Sequence, residues 1–376
     1  MLSQPPVWLI LIAFVCALGP LVFIHELGHY LVARWLGVGA ETFSIGFGRE
    51  IGGWTDKRGT RWKVGWLPLG GYVKFIGDEH AASAPGDLSN LSPEDRERSF
   101  HHRPVWQRFL IVLAGPVSNF LLAILIFAVF FATFGAPRSP PVVGEVQPGS
   151  AAAVAQIQPG DRIISIGGRE TPTFEDLRSF AVLRPGEKVT VQFERAQQVR
   201  EVRLTLGTDI EKDRFGQTFK RGLLGVSPAG IVFEPVPPLR LIPDATTYVI
   251  GLTQTMLDAL WQIITGRRSV KELGGPLKIA QVAGQQATLG LVAFVSLIAL
   301  LSINLGFINL LPVPMLDGGH LLFYGIEAVQ RRPVSPQAQD WAFRGGLAFI
   351  LALLLLTTVN DLGSFGVWER LGRLIG

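Results

Sequence analysis

A chain of 376 residues that is 48% hydrophobic and 17% charged, with a mean hydropathy of +0.35, is too apolar for an ordinary pair of soluble domains and reads as a polytopic α-helical membrane protein. Its net charge of +4 comes from basic residues scattered among neighbouring acids, which argues against nucleic acid as a partner. The single Cys16 excludes an intramolecular disulfide and a cysteine-based metal site.

Crossing the hydrocarbon core of a bilayer takes about 20 apolar residues in a helix. Windows of that kind lie at residues 7–38, 109–134, 289–311 and 347–359, the last lengthened by residues 342–346, so about four transmembrane helices are expected. The first window has no basic stretch ahead of it and carries ionisable residues, which separates it from a cleaved signal peptide. Residues 1–6 bear no charged side chain, whereas Arg34, Arg49, Lys57, Arg58, Arg61, Lys63 and Lys74 follow the first span. That asymmetry places the following loop in the cytoplasm. The N-terminus, and the long segment between the second and third spans, then lie on the extracytoplasmic side.

Within the first span stands His25-Glu26-Leu27-Gly28-His29. Two imidazoles four residues apart share one helical face, and the carboxylate between them is turned aside. In an H-E-x-x-H pattern the histidines can bind Zn2+ through neutral ring nitrogens, while the glutamate stays off the metal and takes a proton from its water. The plainer alternative is a polar helix face packed against other helices. An ionisable residue within a span costs roughly 2.5 to 3.5 kcal/mol without a partner, so Glu26 between two histidines asks for more than packing.

Residues 39–77 change to short alternating runs broken by glycine, such as Thr42-Phe43-Ser44-Ile45-Gly46-Phe47-Gly48, which predict a membrane-associated β-hairpin region. Trp54, Trp62 and Trp66 suit a membrane interface. Two readings stand open there: an ordinary cytoplasmic hairpin, or a small sheet dipping toward the site with an edge strand for an extended substrate backbone. Residues 78–103, polar and containing Ser, Pro, Asp and Glu, predict a flexible linker with His80, His101 and His102 solvated. The second span opens on Gly115-Pro116-Val117-Ser118-Asn119. Close approach at Gly115 and a hydrogen bond from Asn119 across a helix contact are favoured there over a place in the site.

Residues 137–141 mark a domain boundary. Beyond it come Pro159-Gly160-Asp161-Arg162-Ile163-Ile164-Ser165-Ile166-Gly167-Gly168, a helical stretch over 173–183, and strand-like runs over 188–195 and 199–206. This segment resembles a PDZ domain of the circularly permuted kind found in bacterial proteases. Such domains bind extended peptides by strand addition, and a peptide groove and a steric filter stand equally open. Over residues 243–266, Gln254, Asp258 and Gln262 recur at helical spacing, which suits a helix lying on the membrane or capping the site. Gly274-Gly275-Pro276 then breaks the chain.

The third span ends on Asn309-Leu310-Leu311-Pro312-Val313-Pro314-Met315-Leu316-Asp317-Gly318-Gly319-His320. Two prolines in three residues open the helix, and the two glycines relieve crowding near Asp317. A catalytic zinc takes three protein ligands and leaves one position for water, so Asp317 completes the set begun by His25 and His29. His320 fits a helix-capping or supporting role beside a full ligand set.

Together, H-E-x-x-H in the first span, N-x-x-P-x-P-x-L-D-G-G in a later one and a PDZ-like insert between spans resemble the site-2 protease family of intramembrane zinc metalloproteases, most nearly its bacterial regulator-of-sigma-E protease branch. Gly70-Gly71-Tyr72-Val73-Lys74 and Gly274-Gly275-Pro276 share in the likeness, which covers nearly the whole chain. The single PDZ-like segment departs from members that carry two. The resemblance implies His25, His29 and Asp317 as zinc ligands, Glu26 as general base and acid, and Asn304 and Asn309 as residues that hold the substrate strand. It implies an enzyme of the bacterial inner membrane that cuts transmembrane segments of single-span proteins, including an anti-sigma factor already cut on the extracytoplasmic side. A membrane zinc-binding protein or a PDZ scaffold without hydrolytic activity is the alternative, and either leaves Glu26 without a task. The expected organisation is a first span over 1–38, the hairpin region and linker over 39–104, a second span over 105–135, the PDZ-like domain over 136–228, amphipathic membrane-surface helices over 229–286, a third transmembrane segment over 287–327 and a fourth over 341–363.

Overall fold

The computed structural model describes residues 5–78, 91–212, 218–266, 269 and 274–364, so the expectation for His80 lies outside the described residues. Two compact units divide the chain, one made of Met1–Phe127, Ala245–Met256 and Val270–Gly376, the other of Ala128–Asp244 and Leu257–Ser269. In chain order the elements are α1 (Val7–Trp35), β1 (Ala40–Thr55), β2 (Arg61–Phe75), α2 (Pro93–Arg98), α3 (Val105–Phe134), β3 (Ala136–Arg138), β4 (Val143–Val146), α4 (Ala151–Val154), β5 (Arg162–Ile166) and β6 (Arg169–Glu170). There follow α5 (Phe174–Val182), β7 (Lys188–Arg195), β8 (Gln198–Thr205), β9 (Gly207–Lys212), β10 (Thr218–Leu223), β11 (Val226–Pro228), β12 (Val232–Glu234), α6 (Leu241–Ile264), α7 (Pro276–Thr288), α8 (Leu291–Leu310), α9 (Asp317–Gln330) and α10 (Pro336–Ser364). Helices α1, α3, α8 and α10 are long and apolar enough to cross a membrane.

In the first unit, α1 buries Ala13, Ala17, Leu21, His25 and Gly28, a stripe repeating every three or four residues. Trp8, Leu11, Ile12, Val15 and Leu31 are exposed, as expected of a helix with one face on protein and the rest on lipid. Small residues let α3 come close: a Cβ on Gly28 would run into the carbonyl oxygen of Ala114 and lie 2.8 Å from Ser118 Oγ. Ser118 Oγ uses that proximity to donate to the carbonyl of Ile24 at 2.8 Å.

The hairpin is longer and more bent than the glycine-broken runs suggest. Residues 40–45 pair with 71–75 on one side and with 61–64 on the other, and residues 50–55 fold back along 61–65. Gly46 and Gly48 make the bend at φ +85° and +82°, where a side chain would be strained. A small curled sheet results, with 71–75 as its outer strand. Phe43, Val73 and Phe75 bury their side chains with Tyr30 and Ala33 of α1, Ile111 and Val112 of α3 and Tyr324 of α9. This shared core fixes the sheet against the end of α1 that carries the histidines.

The expected flexible linker departs from the structure at both of its described ends. Asp78 is buried and accepts from the Phe75 backbone N–H at 2.9 Å and pairs with His101 Nε2 at 2.8 Å. Phe100 is fully buried against Phe75, and α2 is capped by Ser92. His101 is therefore a half-buried partner of Asp78, while His102 is exposed. A polar composition hid the two apolar and ionic anchors.

The third segment expected over 287–327 is two helices: α8 stops at Leu310 and α9 begins at Asp317. Pro312 and Pro314 lack the N–H that would continue the ladder, and Met315 turns the chain at φ +80°. A Cβ on Gly318 would overlap the carbonyl oxygens of Leu310 and Leu311, and one on Gly319 would meet those of Val313 and the Cα of Pro314. The α10 helix starts at Pro336, five residues ahead of the expected boundary. Ser335 Oγ accepts from the Ala338 N–H and proline occupies the first helical position, a start signal that apolarity alone passes over. Near its other end, Asp361 accepts from the backbone N–H groups of Gly275 and Lys278 at 3.0 and 2.9 Å, capping α7.

The second unit holds the four-stranded antiparallel sheet β6-β5-β7-β8 and the two-stranded pairs β4–β11, β3–β12 and β9–β10. Thr173 and Asp176 form a reciprocal capping box at the start of α5, whose Leu177 and Phe180 pack on Ile163, Ile166 and Val191. In the Pro159-Gly160-Asp161 turn, Gly160 sits at φ +92°, and buried Asp161 accepts from the Gln158 N–H at 2.7 Å and from Arg195 at 2.6 Å.

Gly318→Val should lower the melting temperature of the detergent-purified protein, because forcing a side chain into a filled space costs about 1 to 3 kcal/mol. Gly325→Ala on the same helix, where a Cβ meets nothing within 4 Å, should leave it unchanged. Equal melting of the two variants would contradict the crowding at Gly318.

Candidate metal centre

The buried stripe of α1 carries His25 and His29 one turn apart, and the turn between α8 and α9 delivers Asp317 to the same place. His25 Nε2 lies 3.0 Å and His29 Nε2 3.6 Å from Asp317 Oδ2. The two imidazole nitrogens are 3.2 Å apart. Ligand atoms each about 2.0 to 2.1 Å from one tetrahedral ion stand roughly 3.3 Å from one another, so the triangle has the size such an ion requires. Asp317 Oδ2 is buried, and the two imidazole nitrogens are the polar groups that face it. A buried carboxylate oxygen that converges with two ring nitrogens is an arrangement that a cation satisfies and that apolar packing alone does not. Among the described residues, these three form the one group suited to holding a metal.

Each histidine is held from behind. His29 Nδ1 donates to the carbonyl of Ile111 at 2.9 Å, which leaves Nε2 as the free nitrogen. Pro116 interrupts the α3 ladder close to that carbonyl. At Gly115 a Cβ would overlap the His29 ring, so only glycine lets the imidazole lie against α3. His25 Nδ1 meets the amide of Asn119 at 3.0 Å.

Glu26 stands outside the ligand triangle and lines the same cleft, which measures about 270 Å³ and also exposes Gly70, Gly71, Val73, Asn309 and His320. The backbone N–H of Val73, on the outer strand of the curled sheet, faces the Glu26 carboxylate. A Cβ at Gly71 would come within 3.1 Å of Glu26 Cγ, so glycine there keeps the strand close to the carboxylate. Among the described residues, no strand pairs with the other edge of 71–75. The site thus combines a metal-sized triangle, a carboxylate beside it and a strand edge along which no other described strand runs. That set can bind and hydrolyse an extended peptide.

Asn309 lines the cleft and Asn304 does not. Five helical residues turn about 500°, which leaves the two side chains some 140° apart on α8; one wall receives one of them. His320 lines the cleft without joining the triangle, its ring 5.2 Å from that of Phe343. Sequence reasoning missed the backing carbonyl of Ile111 and favoured helix packing for Asn119 over the place in the site that it also left open. The proline and amide of Gly115-Pro116-Val117-Ser118-Asn119 are the signal that marks them.

A family model described as Peptidase family M50 matches residues 13–353. A protein of Agrobacterium fabrum assigned as a zinc metalloprotease is 44% identical over 370 residues, covering 94% of this chain and 96% of its own length. A Rhizobium meliloti protein with the same assignment is 43% identical over 355 residues, covering 93% and 95%. Metalloprotease MmpA of Caulobacter vibrioides is 39% identical over 391 residues, covering 97% and 98%. Among solved structures, the PDZ domain of an SdrC-like protein from Listeria monocytogenes overlaps 24% of this chain and 87% of its own, at 16% identity and a TM-score of 0.19. A Geobacillus thermodenitrificans protein solved in solution overlaps 19% and 82%, at 30% identity and a TM-score of 0.17. At those scores neither bears on the argument.

His25→Ala should reduce bound zinc in the purified protein from about one equivalent to well below it, read by elemental analysis. An unchanged zinc content would remove His25 from the triangle.

Proposed function

The chain belongs to peptidase family M50, and from that membership we propose that this membrane zinc metalloprotease cuts single-span membrane proteins within their transmembrane segments, as the regulator-of-sigma-E branch does. The observation that carries the reading is the placing of Glu26 between the His25, His29 and Asp317 triangle and a free sheet edge.

In this reading His25 Nε2, His29 Nε2 and Asp317 Oδ2 are the zinc ligands and Glu26 is the base. Zinc, when bound there, supplies Lewis acidity toward the scissile carbonyl and acidifies a water molecule. Glu26 takes a proton from that water as its oxygen attacks the carbonyl carbon. The same carboxyl hands the proton to the departing nitrogen as the C–N bond breaks. A transmembrane substrate arrives as a helix whose peptide groups are bonded internally, so it must be drawn out before a carbonyl can be reached. The unpaired edge of 71–75 offers backbone partners to the extended chain, and the Asn309 amide holds it from the α8 wall. Asn304 is not among the residues that line the cleft.

The basic residues after α1 favour a cytoplasmic hairpin region, with the N-terminus and the second unit outside a bacterial inner membrane. An anti-sigma factor shortened by a first extracytoplasmic cut fits this arrangement as substrate. The second unit then acts as a PDZ-like module that screens or recruits what enters.

Glu26→Gln should keep its zinc and lose cleavage of a membrane-spanning reporter by about 10²- to 10⁴-fold, the usual contribution of a positioned base. Undiminished cleavage by a zinc-loaded Glu26→Gln enzyme would remove Glu26 from the chemistry. Replacing residues 142–228 by a short linker separates the two tasks of the second unit: cleavage of unshortened substrate rises if it screens, and all cleavage falls if it recruits.

A further inference from the structure

We infer that Asn119 is a positioning residue for the metal centre, setting the ring orientation and tautomer of His25. The inference rests on His25 being a zinc ligand. Asn119 lies on α3, has no exposed surface, and brings its side-chain amide to 3.0 Å from His25 Nδ1. Its backbone carbonyl accepts from Ser302 Oγ of α8 at 2.8 Å, which ties this turn of α3 to α8 while the Asn119 side chain reaches His25 of α1. The Oδ1 atom of the amide is buried without a partner.

The two histidines have different kinds of backing. The carbonyl of Ile111 can only accept, so His29 carries its proton on Nδ1 in every state. The amide of Asn119 can donate through Nδ2 or accept through Oδ1, and which of its ends faces the ring follows the needs of the network. With Nδ2 toward the ring, His25 Nδ1 is the acceptor and the neutral imidazole holds its proton on Nε2, the atom 3.0 Å from Asp317. A half-turn of the amide brings Oδ1 onto Nδ1–H and frees the Nε2 lone pair for a metal. Asn119 therefore serves two forms of the site: it supports a His25–Asp317 hydrogen bond without metal, and a ligating His25 with it. An aspartate can serve the second form only, and alanine neither.

The test is made on the full-length detergent-purified protein. Zinc affinity, measured by competition with a chromogenic chelator, should fall 10- to 100-fold in Asn119→Ala, the range for loss of a group that orients a ligand, and return to within about threefold of wild type in Asn119→Asp. The visible absorption bands of the Co2+-loaded protein should change in Asn119→Ala and be restored in Asn119→Asp. Unaltered affinity and bands in Asn119→Ala, or an Asn119→Asp as weak as Asn119→Ala, overturn the inference. Nitrogen-15 spectra of His-labelled, zinc-loaded wild type give an answer that needs no variant: His25 should hold its proton on Nδ1, and a deprotonated Nδ1 overturns the inference. Zinc retained by His25→Ala would instead sink the ligand assignment itself.

Discussion

A carboxylate oxygen buried among apolar helices and faced by two imidazole nitrogens is the constraint on which this molecule turns. Left without a counter-charge, Asp317 would be costly in such surroundings. A divalent ion at the centre of the triangle satisfies all three groups at once. The rest of the first unit brings them together and holds them there: a helix face with small residues for close packing, a proline-broken turn, and a sheet anchored in the same core.

Glycine does much of that work through what it lacks. Gly28 and Gly115 allow α1 and α3 to approach until His29 lies against the α3 backbone. Gly318 and Gly319 let the Pro312–Leu316 turn fold onto the first turn of α9, which aims Asp317. Gly71 keeps the outer strand within reach of Glu26. These contacts hold the Glu26 carboxylate beside the 71–75 strand edge, so under the proposed function a peptide paired along that edge would lie next to its base.

The ligand triangle was legible because H-E-x-x-H and the Pro-x-Pro-x-Leu-Asp-Gly-Gly run each carry their geometry in a short stretch. The four long apolar helices were legible from composition and length. Less could be read where the answer depended on contacts distant in sequence. His101 looked solvated because its partner Asp78 stands 23 residues away, and Phe100 looked like one apolar residue in a polar linker. Asn304 and Asn309 looked equivalent as letters, but helical rotation gives the cleft to Asn309. Asn119 looked like packing because nothing local reveals that the ring it meets belongs to His25.

The central claim is that one zinc ion is held by two imidazoles and a carboxylate from separate helices. X-ray absorption at the zinc edge of the purified protein tests it most directly. The account predicts four nitrogen or oxygen neighbours at about 2.0 to 2.1 Å, with the multiple-scattering signature of two imidazoles; Asp317→Ala should change the first shell and leave both imidazoles in place. A wild-type spectrum with fewer than two imidazoles, or one that Asp317→Ala leaves unchanged, would contradict it.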